Sequence, residues 1–267
     1  MTTRKYSAEG GAETTHFGFE KVMVNEKAGR IAEVFDTVSP KYDVMNDVMS
    51  FGSHRIIKWY AINASNIKPG SKVLDIAAGT GDLTILISKR VGPQGCVILS
   101  DINEQMLQAG RARLTRADIP DNVQFLQADA EDLQFEDNTF DAVTIGYGIR
   151  NFTNKMRALR EILRVLKPGG QLTIIEFSKP TSKSLQIMAD AYSSLWPTFG
   201  KILVGNGKPY RYLVDSIKMH PDQETFKSMM QGSGYEHVKY ENLLGGIAAL
   251  HIGLKPHALP QNRDVPG

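Results

Sequence analysis

The sequence predicts an α/β fold built on a mostly parallel sheet that helices cover on both faces. Five short apolar runs alternate with helix-like stretches between residues 72 and 178, which is the pattern of successive βαβ units. Two further runs, 235–243 and 247–254, are joined by a Leu-Gly-Gly turn and predict an antiparallel hairpin at the end of the sheet. The predicted parallel strands are 72–77, 96–101, 122–129, 140–148 and 171–178, with helices at 82–90, 104–117 and 154–166 between them.

Helical periodicity also appears on both sides of this alternating region. We therefore expect one domain from 21 to 255, with a helical cap at 21–66 and a helical lid inserted at about 181–220. Residues 1–20 and 256–267 are polar or rich in proline and are expected to be loose. The helices predicted outside the alternating region are 25–35, 56–64, 184–204 and 221–231.

Composition excludes several classes of protein. The chain has 267 residues and a net charge of +2, which gives no reason to expect nucleic acid or an anionic membrane as the dominant partner. Its one cysteine, Cys96, allows no internal disulfide and no metal cluster, and its apolar run predicts a buried side chain. No apolar run approaches the ~20 residues that span a bilayer. We expect a protein of the cytoplasm.

The end of the first predicted strand carries a glycine loop preceded by an acid. A dinucleotide fingerprint reads G-x-G-x-x-G; Gly79 and Gly81 supply two of its glycines, but Thr84 stands at the third position. The carboxylate of Asp75 disfavours a pyrophosphate and favours a cationic ligand. S-adenosylmethionine carries a sulfonium and an ammonium group and no phosphate, so Asp75 is predicted to orient the loop or to hold the ammonium.

Acids end the next two predicted strands as well. Asp101 follows 26 residues after Asp75 and can accept hydrogen bonds from both ribose hydroxyls. At the third strand, Asp129 and the backbone N–H of Ala130 can recognise the adenine edge. One strand-end acid is more often a turn or helix cap. Three such acids with the glycine pair predict an S-adenosylmethionine site where the strand order reverses.

These residues belong to longer stretches that resemble the bacterial ubiquinone/menaquinone-biosynthesis C-methyltransferases, a family of class I S-adenosylmethionine enzymes. The resemblance runs from about Thr14 to Lys255. The glycine loop and the LKPGG turn occur across many methyltransferases, whereas KYDVMNDVMSFG, GIRN and MHPDQ are much more specific. The matching stretches are THFGFEKV, KYDVMNDVMSFGSHR, LDIAAGTGDLT, LSDINEQML, DNTFDAVTIGYGIRN, ALREILRVLKPGG, EFSKP and YRYLVDSIKMHPDQ.

The resemblance implies a Rossmann-like fold with a seven-stranded sheet and one of two reactions. The first methylates a ring carbon of 2-methoxy-6-polyprenyl-1,4-benzoquinol on the route to ubiquinone, and the second converts demethylmenaquinol to menaquinol. The sequence leaves open which reaction this chain performs. The family's cofactor positions fall on Thr80, Asp101, Asp129 and Ala130. A further one, often Ser in bacterial relatives, is Gly146, which lacks the hydroxyl.

The segment IGYGIRNF, residues 145–152, is predicted to carry the catalytic groups. Methylation of a quinol ring carbon requires removal of a phenolic proton, whose ordinary pKa is ~10. Arg150 is too basic to take that proton, so it is predicted to stabilise the phenolate or to polarise a water molecule that takes it. Asn151 would hold that water or the quinol oxygen, and Tyr42 would contribute a hydroxyl group from the cap. The resemblance associates the GIRN segment with catalysis.

Other polar residues have simpler explanations. His54 and Arg55 resemble a base and an anchor, and His220 precedes a predicted helix, but lone polar residues at helix ends more often form caps or pairs. Arg150 itself is, by the simpler explanation, an exposed loop cation, and Tyr42 a core residue.

The segment 184–204 has an apolar stripe at helical spacing, interrupted by Pro197. The stripe would pack on the sheet or on a second subunit, or it would form a flexible lid that covers the quinol and touches the membrane. A homodimer and a quinone-biosynthesis complex also stay open as partners. The residues of the stripe are Leu185, Met188, Tyr192, Leu195, Phe199 and Ile202.

Two other functions compete with quinol methylation. The chain would be a methyltransferase for another lipid or phenol, or a non-catalytic subunit that binds the cofactor within a quinone-synthesis complex. The GIRN segment and the intact glycine loop favour a quinol methyltransferase over both alternatives.

Overall fold

The structure, a computed structural model, describes residues 14–38, 42–117, 119 and 121–257. Within these residues a two-stranded antiparallel sheet lies beside a larger seven-stranded sheet. The small sheet comprises β1 (Thr14–Phe17) and β2 (Glu20–Met23). The large sheet comprises β3 (Lys72–Ile76), β4 (Cys96–Asp101), β5 (Val123–Gln127), β6 (Phe140–Gly146), β7 (Leu166–Phe177), β8 (Glu236–Leu243) and β9 (Ala248–Leu254).

The large sheet has the strand order β5-β4-β3-β6-β7-β9-β8. The five strands β5, β4, β3, β6 and β7 run parallel to one another, and β9 pairs antiparallel with both β7 and β8. The chain moves outward from β3 to β5, then crosses back to place β6 on the other side of β3. This reversal opens a crevice beyond the carboxyl ends of β3, β4 and β6, and the predicted mostly parallel sheet with a terminal hairpin is confirmed.

Helices flank the sheet and form a group above the crevice. Three of the described helices precede β3, and four consecutive described helices follow β7. Side chains of both groups meet in a buried cluster around Trp196. No described helix is both long enough and apolar enough to cross a membrane. The helices are α1 (Val24–Val38), α2 (Tyr42–Ser50), α3 (Ser53–Ala64), α4 (Asp82–Val91), α5 (Glu104–Arg116), α6 (Lys155–Val165), α7 (Lys183–Ser193), α8 (Trp196–Val204), α9 (Lys208–Met219) and α10 (Gln223–Gly232).

The core lies on the two faces of the large sheet. On one face the apolar side of α6 packs against β6 and β7, and its Leu159 and Ile162 are fully buried. On the other face α3 and α4 pack against the same central strands through Ile57 and Ile87. Burial on both faces explains why the parallel strands are continuous apolar runs rather than alternating ones.

The structure corrects several expectations outside the central sheet. Residues 14–20 belong mostly to the small β1–β2 sheet rather than to a loose segment. The predicted helix 184–204 is two helices because Pro197 lies in the first turn of α8, and α9 is an additional helix. Cys96 is only half-buried, since it begins β4 at the edge of the apolar run.

Candidate active site

The glycine loop and the ends of β3 and β4 form one side of the crevice. Ala77, Gly79 and Gly81 all have positive φ, so the loop turns sharply between β3 and α4. The backbone N–H of Gly79 donates to Asp101 Oδ2 at 2.9 Å. The other carboxylate oxygen of Asp101 accepts from the N–H of Asn103 at 2.9 Å. Asp101 is therefore held rigidly against the loop, and burial raises its pKa.

A cavity of about 230 Å³ lies over these strand ends, and we call it the acidic cavity. Among the described residues, its charged lining groups are Asp101, Asp129 and Glu131, and none of them is Lys, Arg or His. This arrangement suits a cationic ligand and disfavours a phosphate. The helix α1 closes the cavity from the cap side. The lining also includes Ile31, Phe35, Ile76, Ala77, Gly79, Ile102, Met106, Ala130, Gly146, Tyr147, Gly148 and Asn151.

Three predicted cofactor residues stand behind the loop rather than on the cavity wall. Asp75 is fully buried, and its carboxylate accepts from Thr84 at 2.6 Å and from Thr144 at 2.7 Å. Burial raises the pKa of Asp75 to about 6. Of its two predicted roles, this position fits orientation of the loop.

Thr80 and Gly81 also serve the loop from behind. The hydroxyl of Thr80 accepts from Arg113 at 3.1 Å. A Cβ atom at Gly81 would lie 2.6 Å from Leu114 Cδ1, so glycine allows α5 to pack closely against the loop. Among the predicted cofactor positions, Gly79, Asp101, Asp129, Ala130 and Gly146 therefore share one cavity.

A second, larger cavity of about 480 Å³ adjoins the first and is lined mostly by aromatic and aliphatic side chains. We call it the apolar cavity. Gly146 and Tyr147 line both cavities and so form part of the wall between them. The lining of the apolar cavity includes Phe35, Met45, Met49, Phe51, His54, Ile57, Lys58, Arg150, Phe177, Lys179, Tyr192, Trp196, Tyr210, Tyr212, Leu213, Ile217 and Lys218.

Arg150 lies on the wall of the apolar cavity and is buried, not an exposed loop cation. Its Nη1 donates to Glu176 Oε1 at 3.0 Å and to the carbonyl oxygen of Tyr147. Its guanidinium lies 5.7 Å from the ring centre of Phe177. Glu176 is buried at the end of β7, so the ion pair anchors the cation to the sheet. Within the described residues Arg150 Nε has no hydrogen-bond partner.

Two lysines hold the turn that carries Arg150. Lys155 Nζ donates to the carbonyl oxygens of Arg150 and Phe152, each at 3.1 Å. Lys27, from α1 in the cap, donates to the same Phe152 oxygen at 3.3 Å. Burial lowers the pKa of Lys155 to about 8. The cap and the turn are thus joined directly at the site.

Asn151 is held by a hydrogen bond from helix α9. Its Oδ1 accepts from the Tyr212 hydroxyl of α9 at 3.0 Å. Asn151 lines the acidic cavity and Tyr212 lines the apolar one, so this hydrogen bond lies where the cavities meet. Burial raises the pKa of Tyr212 to about 12, so the hydroxyl stays protonated at neutral pH. Tyr42 begins α2, but its side chain lies outside the described part of the chain.

Gly146 has a packing reason for lacking a side chain. A Cβ atom there would lie 2.8 Å from Leu83 Cδ1. A serine at this position would therefore require Leu83 to move.

The histidines differ in their surroundings. His54 is buried on the wall of the apolar cavity and pairs with Asp47 at 2.8 Å. Arg55 also pairs with Asp47 but is largely exposed. His220 is buried at the end of α9 against Phe226, which fits the structural role expected for it.

Sequence reasoning overlooked Tyr147, Glu176, Tyr212 and Lys58 as site residues. Glu176 lies at the end of a parallel strand, as Asp75 and Asp101 do, so the same strand-end pattern would have predicted it as a site residue. Tyr212 and Lys58 reach the site from helices distant in sequence, and no local pattern identifies them.

The fold and the acidic cavity together define a class I methyltransferase that uses S-adenosylmethionine. A family model described as the ubiE/COQ5 methyltransferase family matches residues 22–255. The chain therefore belongs to the ubiE/COQ5 methyltransferase family.

Curated relatives agree over nearly the whole chain. A protein of Idiomarina loihiensis named ubiquinone/menaquinone biosynthesis C-methyltransferase UbiE is 54% identical, over 91% of this chain and 97% of its own length. A protein of the same name from Ectopseudomonas mendocina is 55% identical, over 91% of this chain and 95% of its own.

Solved structures support the fold. A methyltransferase from Aquifex aeolicus described as dependent on S-adenosylmethionine aligns with a TM-score of 0.56 at 19% identity, covering 74% of this chain and 89% of its own.

Proposed function

We propose that this protein transfers the methyl group of S-adenosylmethionine to a ring carbon of a polyprenyl quinol. The acceptor is 2-methoxy-6-polyprenyl-1,4-benzoquinol, demethylmenaquinol, or both, in ubiquinone or menaquinone biosynthesis. The names of the relatives support this acceptor class. The observation that carries the proposal is a separation of charge between two adjoining cavities.

The charge separation matches the needs of methyl transfer to a phenol. In the part of the chain that the structure describes, the charged groups lining the acidic cavity are all carboxylates, which suits the cationic methyl donor. Among the described residues the apolar cavity is lined by the cations Lys58, Arg150, Lys179 and Lys218 and by one carboxylate, Asp190. This excess of cations favours negative charge on an acceptor oxygen. Its other walls are largely aromatic and aliphatic and suit a quinol ring with an isoprenoid tail.

The residues of the acidic cavity would hold the cofactor. Asp101 would accept hydrogen bonds from the ribose hydroxyls, and Asp129 and Ala130 would contact adenine. The backbone of Gly79 and Gly146 would approach the cofactor closely. Asp75, Thr80 and Gly81 would support that loop from behind. When bound, S-adenosylmethionine supplies an electrophilic methyl group, and the protein must align it with the ring carbon.

Arg150 and Asn151 would act on the acceptor. The guanidinium of Arg150 stays protonated and stabilises the phenolate as it forms. Its ion pair with Glu176 fixes the direction of the side chain. Asn151, held by Tyr212, would position the quinol oxygen or a water molecule. Tyr42 keeps its proposed role as a hydroxyl group from the cap.

The cap 21–66 and the lid 181–220 would close over the two cavities. Helices α2, α3, α7 and α8, with the turn between α2 and α3 and the turn between α7 and α8, also expose large apolar side chains, which we call the apolar rim. Such a rim would dock on the membrane and let the isoprenoid tail enter from the bilayer. The exposed side chains of the rim are Val44, Val48, Phe51, Ile56, Trp59, Ile187, Met188, Leu195 and Ile202.

The direct test is an assay of the purified protein with methyl-labelled S-adenosylmethionine and both quinols, each with a short tail. We expect label on a ring carbon of one or both quinols. A sterol or a small phenol without a tail serves as the competing acceptor. Preferential labelling of a competitor would contradict the quinol assignment. Tight cofactor binding without turnover on any acceptor would favour the non-catalytic subunit instead.

A further inference from the structure

His54 is a buried imidazole on the wall of the apolar cavity, and the proposed roles of Arg150 and Asn151 do not use it. It lies in the first turn of α3, one turn before Lys58. Both residues approach Asp82 at the start of α4: His54 Nδ1 lies 3.8 Å from Asp82 Oδ2, and Lys58 Nζ donates to the same oxygen. Lys58 in turn lies 5.9 Å from the ring centre of Tyr147, on the wall between the cavities.

The hydrogen bond to Asp47 determines the tautomer of His54. Nε2 of His54 lies 2.8 Å from Asp47 Oδ1. Arg55 donates to both oxygens of Asp47, at 2.8 and 2.7 Å. The Arg55 and His54 contacts hold the pKa of Asp47 well below its ordinary value, so Asp47 is an anion that can only accept. Nε2 therefore carries the proton, and Nδ1 carries the free lone pair.

Nδ1 of His54 is buried and lies 3.8 Å from Asp82 Oδ2, beyond hydrogen-bond distance. Among the described residues it has no hydrogen-bond partner. Burial lowers the pKa of His54 below its ordinary value, and Lys58 acts in the same direction, against the opposite effects of Asp47 and Asp82. The imidazole is therefore neutral at pH 7. A carboxylate on one ring nitrogen and a free lone pair on the other is the arrangement of a general base in hydrolase triads.

We propose that His54 is the general base that removes the phenolic proton of the acceptor, with Asp47 as the residue that positions it. The proposal rests on the quinol as acceptor, and on its entry displacing the side chains that cover Nδ1 in this structure. The phenol O–H bond breaks and an Nδ1–H bond forms, while the electron pair stays on the oxygen and is delocalised onto the neighbouring ring carbon. That carbon takes the methyl group, the cofactor sulfur keeps the electron pair of the broken bond, and the ring C–H proton leaves to solvent.

The surrounding charges suit this proton transfer. The imidazolium that forms lies between the carboxylates of Asp47 and Asp82. Lys58 and Arg113 pair with Asp82, and Arg55 with Asp47, so these two carboxylates remain ionised at neutral pH. Arg150 lines the same cavity and stabilises the phenolate that is left behind.

The first test is the tautomer of His54 in the protein without acceptor, measured by 15N NMR of the imidazole nitrogens. Comparison with His54→Gln assigns the signals. We expect a protonated Nε2 and an unprotonated Nδ1 at pH 7, with protonation only below pH 6.5. A protonated Nδ1 at neutral pH would overturn the proposal without any measurement of activity.

The second test is the pH profile of turnover on a short-tailed quinol. Wild-type kcat should fall in acid with the pKa of His54. His54→Gln should lose about 100-fold or more in kcat, as is typical for loss of a general base. It should also lose the acid limb of the profile, and change the Kd for S-adenosylmethionine by less than about threefold. His237→Gln, which changes an exposed histidine of β8, is the matched control.

A quinol with electron-withdrawing ring substituents separates catalysis from folding. Its phenol is ionised at neutral pH without a base, so it should restore much of the lost rate in His54→Gln. A structural defect would lower the rates on both quinols equally, and that result would overturn the role of His54. Asp47→Asn should lower kcat about tenfold or more, whereas Arg55→Gln should retain the acid limb. If wild-type protein labels no quinol, the proposed function fails separately.

Discussion

Arg150 forms a buried ion pair with Glu176. Its contribution to catalysis therefore has to be separated from its contribution to stability. Its partner Glu176 also accepts hydrogen bonds from the backbone N–H groups of Arg150 and Phe177, at 3.1 and 2.9 Å. Removing the cation therefore leaves an unpaired carboxylate in the interior. Loss of stability and loss of catalysis would then appear together in a simple alanine variant.

A pair of variants separates the two effects. Arg150→Met should lower the free energy of unfolding by about 3–5 kcal/mol, because Glu176 is left buried and charged. Adding Glu176→Gln should restore part of that stability, because glutamine carries no charge and keeps an oxygen for one of the two backbone N–H donors. Turnover should stay about 100-fold or more below wild type in both variants. Urea denaturation and methyl-transfer assays measure the two quantities.

Recovery of turnover together with stability in the double variant would show that Arg150 serves only the structure. Calorimetric titration with S-adenosylmethionine provides the control, because cofactor binding should survive in the double variant.

At the scale of the elements, the helices α7 and α8 divide the predicted apolar stripe between two environments. Tyr192 and Phe199 pack inward around the buried Trp196. Met188, Leu195 and Ile202 face outward and are 67%, 49% and 74% exposed. The stripe therefore both covers the apolar cavity and contributes to the apolar rim. Trp196, which is buried, is unsuitable as a probe of membrane contact.

The rim predicts binding to lipid vesicles that depends on α7. Replacing Ile187 and Met188 by serine should weaken binding to phosphatidylglycerol and phosphatidylethanolamine vesicles about tenfold or more, because full burial of such a side chain contributes about 1.5–3 kcal/mol. Co-sedimentation measures the bound fraction. Phe19→Ser is the matched control, since Phe19 is 61% exposed in the turn between β1 and β2, outside the rim.

Equal binding by wild type, the α7 variant and the control would contradict docking through the rim. A concentration-dependent change in oligomeric state that the α7 variant abolishes would instead favour the packing of a second subunit on this surface.

At the scale of the whole molecule, the buried carboxyl of Asp75, beneath the glycine loop, makes the free energy of unfolding depend on pH. Thr84 of α4 and Thr144 of β6 both donate to it, so it joins three elements beneath the cofactor loop. Its pKa is raised from 3.8 to about 6. The folded state therefore retains this proton at pH values where the unfolded chain has lost it.

The stability contributed by protonated Asp75 should be complete below pH 3.8 and should be lost as the pH rises to about 6. The fall amounts to about 3 kcal/mol, from 1.36 kcal/mol per pKa unit. Asp75→Asn should remove this decline, because asparagine does not ionise. Urea denaturation at several pH values between 4 and 7 measures it. An unchanged decline in Asp75→Asn would assign it to other groups.

Much of this molecule follows from local pattern. The alternation of strands and helices and the terminal hairpin were predicted from apolar runs and turn residues. The strand-end acids Asp101 and Asp129 were predicted because parallel strands place their carboxyl ends at one edge of the sheet. Glu176 obeys the same rule and was available to the same reasoning. The small β1–β2 sheet was missed because its short polar strands depend on each other and on α1 rather than on an apolar run.

The sequence by itself determined the fold class and the identity of the methyl donor, and it predicted the residues of the donor site and the segment that carries Arg150. Those features depend on backbone geometry and on residues close in sequence. Only the tertiary structure decided that Asp75 lies behind the loop, that Glu176 pairs with Arg150, and that His54 shares a cavity with them. The reason is physical: burial, ion pairing and the choice of tautomer depend on distances between residues far apart in the chain, and no local periodicity records those distances.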